Sequence, residues 1–148
     1  MEYAGFWRRF VAYLIDYLVV LVGAAVVGFV IGLIAGATGA EAIDGPWLAA
    51  IYAAAIAGYY LYYALMESSS HQATVGKIAL GIKVTDLEGN PIMFWRALGR
   101  SVAKIISALT LFIGYIMAAF TERKQALHDK IADTLVVKRA STPADPAA

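Results

Sequence analysis

Three apolar segments constrain most strongly what this chain can fold into: residues 11–37, 47–66 and 101–120. A run of roughly 20 apolar residues is long enough to cross the hydrocarbon core of a bilayer as a helix. The chain of 148 residues is 61% hydrophobic and only 16% charged, which is too apolar for a soluble domain of this length. The sequence therefore predicts an all-α polytopic membrane protein, built as one membrane domain over residues 1–139 with a disordered tail at residues 140–148.

The positions of the basic residues predict how the chain is threaded. The loop at residues 38–46 carries Glu41 and Asp44 but no lysine or arginine, so the positive-inside rule places it outside the cell and the N-terminus and residues 67–100 in the cytoplasm. A single crossing by the third apolar segment would export the basic residues that follow it. We therefore expect residues 94–120 to form a broken or re-entrant pair of helices, joined near residues 109–114, with both termini cytoplasmic.

The first apolar segment is too long for the core of a signal peptide, so it is expected to be an uncleaved anchor. Residues 67–101 are more polar and are punctuated by glycine, which predicts a small cap on the inner face of the membrane. Within it, GIKVTD and PIMF flank the turn-forming sequence LEGN, a pattern typical of a β-hairpin. TLVVK near the C-terminus is a candidate third strand.

A polar stripe follows one face of the first predicted helix. Arg9, Tyr13, Asp16 and Tyr17 are spaced i, i+4, i+7 and i+8, so they project from the same side of a helix. An ionisable group at membrane depth normally faces the interior of a helix bundle or water. Two interpretations remain open: a buried ion pair that fixes helix packing, and a carboxylate that titrates or binds an ion in a transport path.

A second stripe is basic and lies on the helix that enters the third apolar segment. Arg96, Arg100 and Lys104 recur every four residues there. One interpretation is that Arg96 and Arg100 bind anionic lipid headgroups. The other is that Arg100 or Lys104 faces Asp16 or a C-terminal aspartate inside the bundle.

The C-terminal segment TERKQALHDKIADTLVV places Asp129 and Asp133 one helical turn apart, beside His128. One hypothesis is a metal site made from these residues with Glu67 or His71. The absence of cysteine excludes thiolate ligands and disulfides. The sequence contains no phosphate-cradling loop and no motif of an activated serine. We therefore expect no enzyme activity, no metal, no cofactor and no nucleic-acid partner.

Small residues on the first two predicted helices leave room for close helix packing. Gly28, Gly32 and Gly36 recur every four residues and form a bare face on the first helix, which predicts contact with another helix and a homo-oligomer. The second helix offers a matching face at Ala50, Ala54, Ala57 and Gly58.

Three segments of the chain carry a family resemblance: AGFWRRFVAYLIDYLVV, TVGKIALGIKV and RKQALHDKIADTLVV. Together they resemble the RDD family of bacterial membrane proteins, which is named for one arginine and two aspartates. The resemblance extends over nearly the whole chain. It implies that Arg9 and Asp16 are the first two of these residues and that Asp129 is the third. Arg8 and Asp133 are the neighbours that could be confused with them.

The resemblance implies a location in the bacterial inner membrane and transport of a ligand, with cation/proton exchange as the leading hypothesis. In that hypothesis Asp16 binds H⁺ and Na⁺ or K⁺ alternately, assisted by Arg9 and Asp129. Supporting residues would be Tyr13, Tyr17, Arg100, Lys104 and Asp133. The alternatives are a non-transporting interaction or assembly module with a buried Arg/Asp lock, and a protein that binds anionic lipid at the inner leaflet.

Overall fold

The computed structural model describes residues 1–39, 45–110 and 113–139. Within these ranges the chain forms six helices and two strands: α1 (Phe6–Thr38), α2 (Gly45–Ser68), α3 (Val75–Ala79), β1 (Ile82–Asp86), α4 (Phe94–Leu109), α5 (Ile113–Phe120), α6 (Leu127–Ile131) and β2 (Thr134–Lys138). The predicted external loop with Glu41 and Asp44, the centre of the predicted joint at residues 111–112 and the predicted tail at 140–148 lie outside the described residues.

Helices α1 and α2 are both long and apolar enough to cross a membrane, so two of the predicted spans correspond to candidate membrane helices. α1 contains 33 residues and is therefore about 50 Å long, well beyond the roughly 30 Å of a hydrocarbon core. Its buried residues, Ala12 and Asp16, lie in its N-terminal half, whereas its chain beyond Asp16 is mostly exposed. The first turns of α1 therefore pack against protein, and its exposed C-terminal part is the candidate membrane span.

The third apolar segment forms two helices rather than one. The axes of α4 and α5 differ in direction by 100°, so the segment is a broken pair. α4 has its polar and small side chains inside, including Arg100 and Ser107, while Val102, Ile105 and Leu109 are exposed. Such an inside-out arrangement is what a bilayer favours, because lipid replaces water around the helix. α5 folds closely onto α4, since a Cβ on Gly114 would lie 2.8 Å from the Cα of Ser107.

The sheet joins two distant parts of the sequence. β1 and β2 pair antiparallel, with Ile82 opposite Lys138 and Asp86 opposite Thr134. The N-terminal residues lie along β2 as well, because Ala4 N–H donates to Val136 and Lys138 N–H donates to Glu2.

The predicted hairpin between GIKVTD and PIMF is therefore wrong. LEGN does form a turn, in which the Asp86 carboxylate accepts the N–H groups of Glu88 and Asn90, but the turn leads directly into α4 at Phe94. Ile92 is buried in the core and pairs with no strand among the described residues. TLVVK, predicted as a third strand, takes the place of PIMF as the partner of β1.

We use the word cap for residues 1–5, 69–93 and 121–139. The core of the protein lies where the cap meets α1, α2 and α4, and it is made of small and β-branched side chains: Ala4, Ala12, Ala64, Ile82, Val84, Ile92, Ala97 and Val136. Burying these residues removes apolar surface from water and is the main force that holds the cap on the helices.

The predicted packing face of α1 is open in the single chain. A Cβ built on Gly28, Gly32 or Gly36 meets no atom within 4 Å. The small face predicted on α2, at Ala50, Ala54, Ala57 and Gly58, is exposed as well. In the described residues the two small faces do not pack on each other, and contact of either face with another helix stays a prediction.

Candidate functional site

Asp129 is the centre of a buried polar network. It lies in the short helix α6 and is completely buried, and its carboxylate accepts hydrogen bonds from Arg9 Nη1, from Arg100 Nε at 2.9 Å and from Arg100 Nη2 at 2.7 Å. The N–H of Ala126 donates a further bond at 3.1 Å. Burial raises the pKa of Asp129, but the charges of Arg9 and Arg100 outweigh this effect and hold the pKa well below its ordinary value. Asp129 is therefore ionised at neutral pH.

Arg100 connects Asp129 to a second buried carboxylate, Glu67. Its Nη1 donates to Glu67 Oε2 at 2.5 Å, and Lys77 Nζ donates to the other oxygen of Glu67. Lys104 Nζ lies 3.8 Å from Glu67, beyond hydrogen-bond length, and 3.6 Å from the centre of the Tyr63 ring. We call Arg9, Glu67, Lys77, Arg100 and Asp129 the polar network; it joins α1, α2, α3, α4 and α6.

Lys77 lies in α3, outside the membrane-spanning helices, and it is the member of the network held by the cap. Burial lowers its pKa below the ordinary value of lysine, while Glu67 acts in the opposite direction. Helix α3 thus brings the Lys77 ammonium to the Glu67 carboxylate at the end of α2.

Asp16 is held separately, by neutral donors. Its carboxylate accepts hydrogen bonds from Thr74 Oγ1 at 2.5 Å, Tyr62 OH at 3.0 Å and Gly76 N–H at 2.8 Å. The backbone of α3 comes so close to α1 here that a Cβ on Gly76 would lie 2.0 Å from the carbonyl oxygen of Ala12. Asp16 therefore fastens the cap to α1 at the point where the exposed part of that helix begins.

The residues of the predicted stripe on α1 have different partners, although Arg9, Tyr13 and Asp16 border a common cavity. Arg9 contacts Asp129 instead of Asp16, and its Nε donates to Ala4 O at 3.0 Å. Tyr13 and Tyr17 are both exposed. Asp133, offered as a supporting residue, is exposed in the turn before β2, where its φ is 49°. A shared helix face thus did not imply a shared contact.

The predicted basic stripe on α4 is divided in the same way. Arg96 is exposed, whereas Arg100 is buried and directs its guanidinium to Glu67 and Asp129. Arg100 is therefore not available to a headgroup at the protein surface, which corrects its assignment as a headgroup ligand together with Arg96. The other interpretation of Arg100, contact with a C-terminal aspartate, is the arrangement observed.

His128 is buried beside the network, where its Nε2 lies 3.4 Å from Asp129 Oδ1. Its Nδ1 lies 3.1 Å from Ser107 Oγ, and its ring packs at 5.1 Å on the ring of Tyr115. Burial lowers its pKa to about 3, with Arg100 and Lys104 acting in the same direction and Asp129 opposing them. Across the ranges that the structure describes, no three histidine or acidic side chains come together in a geometry that could hold a metal ion.

A cavity of about 650 Å³ lies beside the network, between α1, α2, α4 and α5. Most of its wall is aromatic or aliphatic, from residues such as Phe10, Tyr59, Ile105 and Ile116. Its charged lining is unbalanced, because four basic residues and one carboxylate border it: Arg9, Lys77, Arg100, Lys104 and Asp16. The partners that balance these cations, Glu67 and Asp129, do not line the cavity.

Several residues of the site were not assigned from the sequence. Glu67 entered only the metal hypothesis, and Thr74, Gly76 and Lys77 were given no role. The segment TVGKIALGIKV contains three of these and was a recognisable motif, and Glu67 lies one helical turn beyond Tyr63 at the end of α2. An acidic residue at the end of an apolar helix needs a cation nearby, and this was the available signal.

The fold and the polar network define a small helical membrane protein whose charged residues meet where a cap joins its helices. The model of the RDD family matches residues 3–133. The chain therefore belongs to the RDD family, as its three sequence segments predicted.

Two relatives from Bacillus subtilis (strain 168) cover most of the chain. "Uncharacterized protein YxaI" is 38% identical over 146 residues, covering 90% of this chain and 96% of the relative. "Uncharacterized membrane protein YteJ" is 30% identical over 141 residues, covering 91% of this chain and 80% of the relative. A "Proline-rich antigen homolog" of Mycobacterium tuberculosis is 33% identical over 66 residues, which are 44% of this chain and 28% of that protein. No solved structure matches the chain.

Proposed function

We propose that this chain is a non-transporting membrane interaction module, in which the polar network locks the cap onto the membrane helices so that the cap is presented to a partner in a fixed orientation. The observation that carries the proposal is that Arg100 bridges two fully buried carboxylates, Glu67 on α2 and Asp129 on α6. Because Arg100 pairs with both carboxylates, these three charged side chains hold α2, α4 and α6 together as a rigid joint.

The surroundings of Asp16 favour a structural role over cation binding. Its oxygens already accept three hydrogen bonds, from the Thr74 hydroxyl, the Tyr62 hydroxyl and the Gly76 N–H. A Na⁺ or K⁺ ion that binds Asp16 would have to displace one of these donors. Among the described residues that line the cavity beside it, Asp16 is the one carboxylate, so the lining offers a cation no second anionic ligand. Both features support the lock rather than the carrier.

The lock is tested with a pair of substitutions in the full-length protein. Asp129→Asn leaves Arg9 and Arg100 facing a neutral group, and we expect it to lower the free energy of unfolding by about 3 to 5 kcal/mol, as for other buried ion pairs that lose one partner. The double variant Arg9→Gln, Asp129→Asn removes one charge of each sign and should recover part of this loss. Asp133→Asn is the matched control, because Asp133 is exposed. Thermal unfolding in detergent measures all three.

The same samples decide whether the module transports. After reconstitution at equal density with a pH-sensitive dye inside the vesicles, a Na⁺ or K⁺ pulse should cause no proton movement in the native protein. An unchanged unfolding temperature in Asp129→Asn, or proton flux that depends on the cation, would each refute the proposed function.

The proposed topology places the cap and both termini on the cytoplasmic side of the bacterial inner membrane. The sheet supports it, because β2 pairs with β1, which precedes α4, and also with residues 2–4, which precede α1. Both ends of the α4–α5 pair then lie on one side, so the pair enters and returns without crossing. Cysteine labelling from the outside checks this: Ala40→Cys should react with an impermeant reagent in intact cells, and Glu88→Cys should not.

Cation/proton exchange at Asp16 is the second candidate function. One observation favours it: Asp16 is a carboxylate with only 1% exposure that nevertheless borders a large cavity. In this function Asp16 exchanges H⁺ for Na⁺ or K⁺, with Arg9 and Asp129 as supporting charges. It requires cation-dependent proton flux in the native protein and none in a folded Asp16→Asn variant, which is the opposite result to that expected for the lock.

A further inference from the structure

The cavity has the composition of a lipid site. Its volume of about 650 Å³ falls in the range of roughly 300 to 1,000 Å³ that is usual for small-molecule sites, which also combine apolar walls with a few polar groups. Several wall residues reach the outer surface of the helices, since Phe10, Ile105 and Leu109 are all exposed. An acyl chain in the bilayer can therefore enter between α1 and α4 without passing through water.

Two basic side chains border the polar end of the cavity: Arg9, which has one donor without a hydrogen bond in the part of the chain that the structure describes, and Lys104, which forms a long ion pair with Glu67. Arg9 has its Nη1 on Asp129 and its Nε on Ala4, but its buried Nη2 has no hydrogen-bond partner within the described residues. Lys104 also borders the cavity, and its Nζ lies 3.8 Å from Glu67, too far for a direct hydrogen bond. A buried guanidinium N–H without a partner costs free energy, so an acceptor placed there is stabilised.

We propose that this cavity binds one anionic phospholipid, with its phosphate at Arg9 and Lys104 and an acyl chain along the wall formed by Phe10, Ile105 and Ala108. Phosphate suits the donors, because a guanidinium and an ammonium bind its oxygens through charge-assisted hydrogen bonds. Basic pockets between helices at the cytoplasmic side of a membrane are known to hold such headgroups. The site differs from the surface stripe of Arg96, which is exposed and outside the cavity.

The lipid site and the lock can fail separately. Lys104 forms only a long ion pair of 3.8 Å with Glu67 and makes no hydrogen bond to either carboxylate of the polar network, and Ala108 is an exposed residue on the cavity wall. Substitutions at these two positions therefore change the cavity while the bonds among Arg9, Arg100 and Asp129 remain.

The experiment is a lipid titration of the full-length protein in detergent, followed by native mass spectrometry and by the unfolding temperature. The probes are phosphatidylglycerol, phosphatidylcholine with the same acyl chains, and inorganic phosphate. We expect one tightly bound phosphatidylglycerol, weaker retention of phosphatidylcholine and no effect of inorganic phosphate at equal concentration. Lys104→Gln should weaken phosphatidylglycerol binding about fivefold, the usual effect of one basic residue near a headgroup.

Two further variants separate the cavity from the surface. Ala108→Phe fills the wall without changing any charge and should also weaken binding, and it tests the site even if Lys104→Gln does not fold. Arg96→Gln, the matched control on the same helix, should bind like the native protein. The proposal would be overturned in favour of surface binding if Ala108→Phe bound phosphatidylglycerol with native affinity. The same would follow if Arg96→Gln and Lys104→Gln lost equal amounts of phosphatidylglycerol affinity. Stabilisation by inorganic phosphate alone would replace the lipid with a free anion.

Discussion

The carboxylate of Asp16 accepts the backbone N–H of Gly76 at 2.8 Å across 60 positions of sequence. This contact is possible because residue 76 has no side chain: a Cβ there would lie 2.0 Å from the carbonyl oxygen of Ala12. The conspicuous aspartate of the first helix is therefore matched to a glycine in the cap, and the two positions form one joint.

Substitution of this glycine should loosen the joint. Gly76→Ala inserts a methyl group where backbone atoms already meet, so α3 must move away from α1, and we expect a loss of about 1 to 3 kcal/mol, typical of overpacking in a closed site. The unfolding temperature in detergent measures it. Gly99→Ala is the control, because its added Cβ meets nothing within 4 Å. Equal unfolding temperatures for the two variants would contradict the close approach.

Glu67 should be as important to the fold as the residues after which the family is named. Glu67→Gln removes the carboxylate that faces Arg100 and Lys77, and leaving two buried cations without it should cost about 3 to 5 kcal/mol. The matched control is Glu88→Gln in the exposed turn before α4. Thermal unfolding together with limited proteolysis of the cap gives the comparison. Equal unfolding temperatures and equal proteolysis of the cap in Glu67→Gln and Glu88→Gln would show that the burial of Arg100 does not require the Glu67 carboxylate.

Much of the membrane architecture could be predicted from the sequence. The apolar runs gave α1 and α2 because helix length and bilayer thickness are directly linked. The break between α4 and α5 followed from the basic residues after Phe120, since a straight crossing would have exported them. Both inferences depend on local composition, which a single sequence records fully.

The site could be predicted only in part, because its contacts are non-local. The i+7 spacing correctly put Arg9 and Asp16 on one helix face, but Arg9 binds Asp129, which is 120 positions away. The turn at LEGN was recognised, yet the strand that pairs with β1 begins at Thr134, and the alternation in PIMF gave no sign that another segment would replace it. Helical spacing determines the direction in which a side chain projects, but it does not determine which residue of another element contacts it.

The glycine face of α1 should mediate self-association. Gly28, Gly32 and Gly36 have no atom within 4 Å of an added Cβ, so a second copy can approach the backbone closely there. Gly32→Leu should remove the oligomeric species on native gels without lowering the unfolding temperature of the single chain. Val30→Leu is the control, because residue 30 lies about 200° around the helix from residue 32. An oligomer that survives in Gly32→Leu would show that another surface is used.

The stability of the protein should fall as the pH decreases from 7 to 5, and His128 should be the main cause. Burial lowers the pKa of His128 to about 3 in the folded protein, whereas an unfolded histidine has a pKa of about 6.5. Below pH 6.5 the unfolded chain therefore binds a proton that the folded chain does not. Unfolding then becomes more favourable by about 1.4 kcal/mol per pH unit.

The carboxylate of Asp129 contributes in a lower pH range. Its folded pKa is depressed, so the stability that it provides is present above the unfolded value of about 3.9 and is lost as the pH falls further. Measurements between pH 7 and 5 thus lie above the range in which Asp129 contributes. His128→Asn keeps an acceptor near Ser107 Oγ but cannot titrate, so its unfolding temperature should change much less over this interval than that of the native protein. Parallel curves for the two proteins would mean that His128 is already protonated in the folded state.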